Sequence, residues 1–435
     1  MRRVAWRLMP ILMLGYFAAF LDRVNVGFAA LTMNEALGLS PRAFGLGAGL
    51  FFLGYFLFEI PSNLILARIG ARRWIARILL TWGVVSALNA FVWNASGFYA
   101  VRFALGLAEA GFYPGVVLYF TWWFPSAYRS RAMAGLHSAS KIALIIGPIV
   151  SGQLLQLNGW LGLAGWKWLF LIEASPPVIL AVVLYALLPD KPEQARWLKP
   201  EQRAWLAARI ASEMAQREAI RRFRLSEALR DRRIWLLTLI WFGVCVSGYG
   251  VNIFVPRIIR GFGVGFGMTG LLVAVPYAFA MLAMVLGSWH SDRTGERTWH
   301  VAGACLTCAA ALGVGSLLAG SPVLLMIALT IAAMGQANIE PIFWSLPMAM
   351  LTGVAAAGGI ALINSVGNLG GFVGPFFYGL VMQASGSTTL ALAVVSLPLM
   401  AGAGALIAVG HDRRLERIPP PEGHQAGQAA SAAFR

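Results

Sequence analysis

Apolar residues occur along this chain in long runs, each separated from the next by a short polar turn. A run of about 20 apolar residues is long enough to cross a bilayer as one helix. The predicted spans cover residues 8–28, 43–67, 74–93, 97–120, 132–156, 167–188, 234–255, 268–289, 299–319, 323–346, 357–383 and 387–409. The pattern therefore predicts an all-α membrane protein with twelve transmembrane helices.

A long polar segment interrupts this series between the sixth and seventh spans. Within it, a helix predicted to begin at Pro200 places Leu206, Ile210 and Met214 on one face, a spacing typical of an amphipathic helix. The predicted organisation is a six-helix bundle at residues 1–189, a basic cytoplasmic linker at 190–233, a second six-helix bundle at 234–410 and a disordered tail at 411–435.

Two landmarks repeat between the halves. The sequence R-x-G-x-R at 68–72 recurs at 293–297, and the Gly-Pro pair at 147–148 recurs at 374–375, so both share a period of about 225 residues. Two pseudo-symmetric six-helix bundles explain such a period. The arginines of the repeated turn are expected to bind helix-end carbonyls and carboxylates such as Asp292. The alternative is that they only set the topology.

Composition and charge agree with a membrane protein. The chain is 59% hydrophobic and 12% charged, whereas an average soluble domain is about 25% charged. Most of the 34 Lys and Arg residues fall on the side of the predicted spans that holds both termini. That bias is typical of the cytoplasmic side of a membrane protein. It accounts for the net charge of +16 without nucleic acid. We expect a monomer in the cytoplasmic membrane, with both termini cytoplasmic.

The motifs of an enzyme are missing from the sequence. No G-x-x-x-x-G-K-[ST] phosphate loop occurs, and the five histidines form no cluster with metal-ligand spacing. All three cysteines fall inside predicted spans. We therefore expect no catalytic residue, metal or cofactor, and an ion gradient as the source of energy.

Four ionisable residues lie in the middle of predicted spans, where each costs about 2.5–3.5 kcal/mol on insertion scales. Asp22 and Arg23 interrupt the first span, and Arg102 and Glu109 interrupt the fourth. Arg102 and Glu109 are two helical turns apart, so they share one helix face. Charged residues at this depth are normally paired and functional. We expect all four to line a shared aqueous cavity in the middle of the membrane.

These charges suggest a coupling mechanism. Desolvation favours the protonated form of a buried carboxylic acid, whereas a nearby arginine favours the ionised form. Asp22 and Glu109 are therefore predicted to take up and release protons as they gain or lose contact with Arg102. Arg23 is the candidate for binding a substrate carboxylate, and Lys141, deep in the fifth span, would add a further cation. The alternative is a permanent charge pair that holds the first half together.

At the repeat offset, the second half has no equivalents of these four charges. Its candidate groups are neutral donors and acceptors suited to hydroxyl groups, notably Tyr249, Trp344 and Asn364. Asn in a membrane helix is as often a contact between helices, so both interpretations stay open.

Three further carboxylates have simpler expectations. Glu59 is predicted to pair with an arginine of a loop, and Glu173, near Lys167, is predicted to lie at the membrane interface. Glu340 in the tenth span has no charged equivalent in the first half and no assigned role.

Five stretches carry a family resemblance. They are FLDRVNVGFA at 20–29, GYFLFEIPSNLILARIGAR at 54–72, RFALGLAEAGFYPGVVLY at 102–119, SDRTGERTWHV at 291–301 and GIALINSVGNLGGFVGP at 359–375. Together they resemble the anion:cation symporter family of the major facilitator superfamily, in particular its tartrate-, phthalate- and sugar-acid-type proton symporters.

The resemblance implies uptake of a small organic anion with protons. It implies that Asp22 and Glu109 are the titrating carboxylates, with Arg102 as their partner and Arg23 as the substrate arginine. Tyr55, Trp344 and Asn364 match cavity-lining positions. Lys141 departs from the family pattern, which favours a doubly charged or unusual acid. The alternatives are an anion exchanger or uniporter without proton coupling, and an anion-binding transceptor that signals through the linker.

Overall fold

The computed structural model describes residues 1–219, 232–318, 320–350 and 353–409, and these form helices and short connecting turns without a strand. The predicted tail at 411–435 and part of the predicted linker, 220–231, lie outside the described residues. The helices are α1 (Arg2–Ala36), α2 (Pro41–Ile69), α3 (Ala71–Leu88), α4 (Ala95–Glu109), α5 (Phe112–Trp123), α6 (Ser126–Leu154), α7 (Gly165–Glu173), α8 (Ser175–Leu187), α9 (Pro200–Ala219), α10 (Arg232–Arg260), α11 (Phe266–Thr294), α12 (Thr298–Leu317), α13 (Pro322–Phe343), α14 (Ser345–Met350), α15 (Gly353–Asn368), α16 (Gly370–Ser385) and α17 (Thr388–Val409).

The helices reproduce the predicted membrane crossings. Among the described residues, eleven helical segments are long and apolar enough to span a bilayer, three of them built from two consecutive helices. These composite segments are α4 with α5, α7 with α8, and α13 with α14. The remaining predicted span, 357–383, is divided at Leu369 between α15 and α16. The protein is therefore a multi-pass membrane protein with the predicted twelve-helix organisation.

The break between α4 and α5 matters most for the site, because Glu109 is the last residue of α4. Gly111, which precedes α5, has a left-handed backbone with φ of 90°. A Cβ atom at this position would lie 2.0 Å from the Ser62 hydroxyl oxygen. Both the backbone conformation and the lack of space require glycine here. The fourth span therefore changes direction directly beside a buried carboxylate.

The two halves of the chain pack alike. In the first half, α1 packs on α6, α2 on α4 and α3 on α8. In the second half, the equivalent pairs α10–α16, α11–α13 and α12–α17 are in contact. The same pairs recur with the period of the sequence, as two pseudo-symmetric six-helix bundles require. This confirms the predicted fold class.

Two equivalent seams join the halves, one between α2 and α16 and the other between α6 and α11. The basic side of the bundle is defined here as the side that holds Met1 and the two R-x-G-x-R turns. On the opposite side, the seams bring backbones into contact: a Cβ at Gly45 would lie 2.2 Å from the Pro375 carbonyl oxygen, and a Cβ at Gly270 would lie 2.3 Å from that of Pro148. Small residues allow such close approach of membrane helices.

The repeated turns bind the groups expected of them. The Arg72 side chain donates from Nε to the Tyr185 carbonyl oxygen at 2.5 Å, near the end of α8. In the second half, Arg297 pairs with Asp292 at 2.6 Å. Leu206 and Ile210 of α9 are buried in the core cluster of the first half, as the amphipathic pattern of the linker predicts.

Candidate functional site

A central cavity lies between the two halves, and its empty space, including the open mouth, is about 1630 Å³. Among the described residues that line it, the Lys, Arg, Asp and Glu side chains are Arg23, Lys141 and Glu340. Most of the remaining wall is aromatic and aliphatic, with a few amides. The aromatic lining residues are Tyr16, Phe20, Phe52, Tyr55, Tyr113, Trp241, Tyr249, Tyr277 and Trp344. A mostly apolar pocket with few, convergent polar groups is typical of a small-molecule site.

Arg23 connects this cavity to a buried carboxylate. Its Nε and Nη2 atoms donate to Glu109 Oε1 at 3.0 and 2.6 Å. The Arg23 side chain is 13% exposed and that of Glu109 is 1% exposed. The guanidinium also lies 5.2 Å from the Tyr55 ring centroid and 5.6 Å from that of Phe51. Arg23 is thus held by a buried acid on one side and faces the cavity on the other.

Asp22 points away from the cavity into the first bundle. Its carboxylate accepts hydrogen bonds from the Ser86 hydroxyl, from Trp82 Nε1 at 3.1 Å and from Asn25 Nδ2 at 3.2 Å. Adjacent helical residues diverge by about 100 degrees, so Asp22 and Arg23 reach different surroundings. Ser86 and Trp82 tie α1 to α3, whereas Asn25 belongs to α1 itself.

Arg102 is not in the ion pair that the sequence suggested for it. Its side chain is almost completely buried, and its guanidinium lies 5.2 Å from the Phe51 ring centroid. Within the described part of the chain, Nε and Nη1 of Arg102 and Oε2 of Glu109 have no hydrogen-bond partner. Asp22 and Glu109 are nevertheless the acids within electrostatic range of Arg102. The cation that binds Glu109 in this conformation is Arg23.

The expectation that all four charges line one cavity is wrong in this conformation. The described lining of the cavity includes Arg23 but not Asp22, Arg102 or Glu109. These three side chains are at most 3% exposed. They form a layer behind the cavity wall, because Asp22 is directed toward α3 and the Arg23 side chain lies between Glu109 and the cavity. Arg23 is therefore the residue of this group that both pairs with a buried carboxylate and lines the cavity.

Lys141 and Glu340 form an ion pair across the two halves. Lys141 Nζ lies 2.5 Å from Glu340 Oε2, with side-chain exposures of 14% and 29%. Lys141 belongs to α6 and Glu340 to α13, and both side chains line the cavity. This contact gives Glu340, which had no assigned role, a definite partner. It also shows that the positive charge of Lys141 is neutralised by a protein carboxylate in the described conformation.

Glu59 has other partners than the sequence predicted. It is buried and accepts hydrogen bonds from Asn364 Nδ2 and Ser365 Oγ of the other half, each at 3.3 Å, instead of pairing with a loop arginine. Glu173 is 3% exposed and accepts a hydrogen bond from Ser151 at 2.7 Å. Its position at the membrane interface stays a prediction. Hydropathy alone did not show that neighbouring helices cover both carboxylates.

The predicted neutral residues do line the cavity. Tyr55, Tyr249, Trp344 and Asn364 all contribute to its wall, and Arg23 Nη1 donates to the Tyr249 hydroxyl at 3.5 Å. Their contact with a substrate stays a prediction.

The sequence interpretation missed a cluster formed by Tyr16, Tyr113 and His137. The two tyrosine rings stack at 5.4 Å, and the Tyr113 hydroxyl lies 3.3 Å from His137 Nε2. The helical spacing of these residues in the sequence could have indicated the cluster. His137 is one turn before Lys141 and Tyr16 is two turns before Arg23, so each shares a face with a cavity cation.

The chain matches the Major Facilitator Superfamily over residues 12–375. It is 49% identical over 389 residues to the "Putative tartrate transporter" of Agrobacterium vitis, covering 89% of this chain and 86% of that protein. It is 40% identical over 402 residues to the "Quinolone resistance transporter" of Acinetobacter baumannii, covering 92% of each. The fold resembles the inward-facing crystal structure of a bacterial homologue of the human lysosomal transporter Spinster, with a TM-score of 0.78 and 17% identity over 95% of this chain and 98% of that one. The chain therefore belongs to the Major Facilitator Superfamily of membrane transporters.

Proposed function

We propose that this protein is a secondary active transporter that takes up a small organic anion together with protons by alternating access. The observation that carries the proposal is the position of Arg23, which lines the cavity while a buried acid, Glu109, holds the same guanidinium from behind. The positive-inside bias of its Lys and Arg residues supports insertion in the bacterial inner membrane with the basic side in the cytoplasm.

The cavity chemistry favours a carboxylate as the substrate. A guanidinium binds carboxylates through two parallel hydrogen bonds, and Arg23 is placed among aromatic rings that limit its movement. The Tyr249 hydroxyl and the Asn364 amide offer neutral hydrogen bonds to hydroxyl groups of an acid, and Trp344 offers an indole ring. The name of the 49% identical relative refers to tartrate, a hydroxy acid of this description.

Anion binding and proton uptake are linked through the pair of Arg23 and Glu109. A substrate carboxylate at Arg23 competes with Glu109 Oε1 for the same two donors. A buried carboxylate that loses its cation is more stable as the neutral acid. Anion binding therefore draws a proton onto Glu109, and a proton on Glu109 in turn frees Arg23 for the anion, because linkage between two binding events is reciprocal.

Asp22 and Arg102 complete the buried charge layer in this scheme. With Arg23 and Glu109 they form two cations and two anions, so the layer is neutral before substrate arrives. We assign Arg102 the role of limiting the cost of charge changes at Glu109. Asp22 keeps its predicted part in proton coupling as a proposal; in the described conformation its carboxylate accepts hydrogen bonds from Ser86, Trp82 and Asn25.

Uptake into proteoliposomes tests this function. Tartrate should accumulate against its gradient when the outside is acidic, and a protonophore should abolish the accumulation. Arg23→Ala should remove binding, Arg23→Lys should retain part of it, and Arg3→Ala, at an exposed position of the same helix, should behave as the unmodified protein. Accumulation that survives the protonophore would indicate an exchanger driven by a counter-anion, downhill flux without accumulation would indicate a uniporter, and binding without flux would indicate a transceptor.

A drug exporter is the second candidate. The 40% identical "Quinolone resistance transporter" and the aromatic lining of the cavity favour it. Efflux assays in cells distinguish the two, because an exporter lowers the cellular content of a fluorescent quinolone, whereas the proposed symporter does not.

A further inference from the structure

We propose that Lys141 and Glu340 form a second anion subsite, which binds the second carboxylate of a dicarboxylate substrate by exchanging Glu340 for that carboxylate at the Lys141 ammonium. This proposal rests on the proposed function. It adds that the preferred substrate is a dianion and names the residue that selects it.

The first argument is the arrangement of charge in the cavity wall. Among the described residues, the Lys and Arg side chains that line it are Arg23 and Lys141, and each is bound by a protein carboxylate: Arg23 by Glu109 and Lys141 by Glu340. A monoanion needs one of these cations. A dianion matches both, and each of its carboxylates replaces a protein carboxylate with the same charge. No cation is left unpaired in either state, so the cost of exchange stays small.

The second argument is accessibility. Here both partners line the cavity, with Lys141 14% and Glu340 29% exposed. Cavity water therefore reaches Glu340 and solvates the carboxylate after its partner is taken. Lys141 can leave Glu340 without burying an unpaired charge.

The third argument is that both cations belong to one cavity wall lined with tyrosines. The Tyr249 hydroxyl accepts a hydrogen bond from Arg23 at 3.5 Å. Tyr16 stacks on Tyr113 at 5.4 Å, and the Tyr113 hydroxyl lies 3.3 Å from His137, which is one helical turn before Lys141. All of these side chains line the same cavity. Carboxylates for the two cations and hydroxyl groups for the tyrosines are the features of a short hydroxy dicarboxylate.

The exchange has a mechanical consequence. The contact between Lys141 and Glu340 joins α6 of the first half to α13 of the second. When a substrate carboxylate takes Lys141, the dianion is held by cations of the first half alone and this contact between the halves is lost. Binding of the dianion therefore removes a contact that opposes movement of the two halves relative to each other, and this movement transports the anion. A monoanion at Arg23 leaves the contact in place.

The test compares tartrate with its monoamide, which replaces one carboxylate by an uncharged amide on the same skeleton. Half-saturation concentrations for both compounds are measured in proteoliposomes. The unmodified protein should prefer tartrate by about tenfold, because the uncharged amide of the monoamide cannot take the place of the Glu340 carboxylate at the Lys141 ammonium. Lys141→Gln should remove this preference, and Lys141→Arg should keep it. Glu340→Gln should keep or increase it, because the competitor of the substrate is gone.

Lys167→Gln is the matched control, since Lys167 is a lysine outside the cavity lining that faces Trp166, and it should retain the preference for tartrate. The subsite is refuted if Lys141→Gln weakens both compounds equally, or if Glu340→Gln loses the preference as Lys141→Gln does, because the pair would then be only structural. Equal affinity of the unmodified protein for both compounds refutes the subsite but leaves the proposed function intact. Failure to transport either compound refutes both.

Discussion

Replacing Glu109 by Gln separates anion binding from proton coupling. Glu109 Oε1 accepts two hydrogen bonds from Arg23, at 3.0 and 2.6 Å, and in the proposed mechanism a substrate carboxylate displaces it. The substitution keeps an acceptor oxygen of similar size but removes the negative charge and the titrating proton. Arg23 should therefore bind the anion more easily while the transporter loses its link to the proton gradient.

The size of the effect follows from the contact that is weakened. A hydrogen bond to a charged group contributes about 1.5–3 kcal/mol net, which corresponds to about 10- to 150-fold in binding. The amide oxygen of Gln still competes for Arg23, so we expect the lower end, about tenfold tighter anion binding. In the unmodified protein, affinity should increase as the pH falls, since protonated Glu109 no longer occupies Arg23. In the variant this dependence on pH should disappear.

Equilibrium binding of labelled tartrate to the purified protein, measured at several pH values, gives the affinity. Uptake driven by a pH gradient and counterflow between equal pools of tartrate give the coupling. The variant should lose accumulation and retain counterflow. Glu35→Gln removes an exposed carboxylate at the end of α1 and should change neither. Accumulation that persists in the Glu109→Gln variant, or affinity that still depends on pH in the same way, would refute the competition between Glu109 and the substrate.

Three further substitutions have expected outcomes. Gly45→Ala should destabilise the seam between α2 and α16 by about 1–3 kcal/mol, because its Cβ would lie 2.2 Å from the Pro375 oxygen. Cysteine labelling should then show a cavity that is more accessible from the side opposite the basic side. Gly303→Ala, with nothing within 4 Å, should show no such increase. Glu59→Ala removes two hydrogen bonds between the halves and should increase labelling on the basic side instead; increased labelling on the opposite side would contradict this role. Asp22→Asn should lower the melting temperature, since a rotamer that satisfies Ser86 points the amide group at the Trp82 donor; an unchanged melting temperature would contradict it.

The fold was predictable from the sequence because bilayer thickness sets the length of each apolar run and the repeat sets the symmetry. The period shared by the R-x-G-x-R turns and the Gly-Pro pairs corresponds to equivalent helix pairs in the structure. The breaks inside spans were not predictable from hydropathy. Gly111 lies in an apolar run like many other glycines, and only the position of Ser62 on the neighbouring helix shows why the chain must turn there.

The candidate site was predictable only in part. The cost of intramembrane charge singled out Arg23 and Lys141 in the sequence, and both line the cavity, whereas Asp22, Arg102 and Glu109 lie behind its wall. The binding roles of these residues stay predictions. Their partners depend on helix rotation and on contacts between distant segments. Lys141 pairs with a residue 199 positions away, and Asn364 meets Glu59 across 305 positions. Spacing on one helix explains why Arg102 and Glu109 share a face, but it does not show that Arg23 reaches Glu109 first.

The seams on the opposite side have a consequence for leakage. At Gly45 and Gly270 the neighbouring helix presents carbonyl oxygens directly to the glycine backbone, with no flexible side chain between them to fill a widening gap. A backbone contact of this kind has no favourable partly separated state, because a small separation already loses much of the dispersion energy. We therefore expect each seam to be either closed or open. Between turnovers, such a seam leaves no partly open passage through which ions could leak across the membrane.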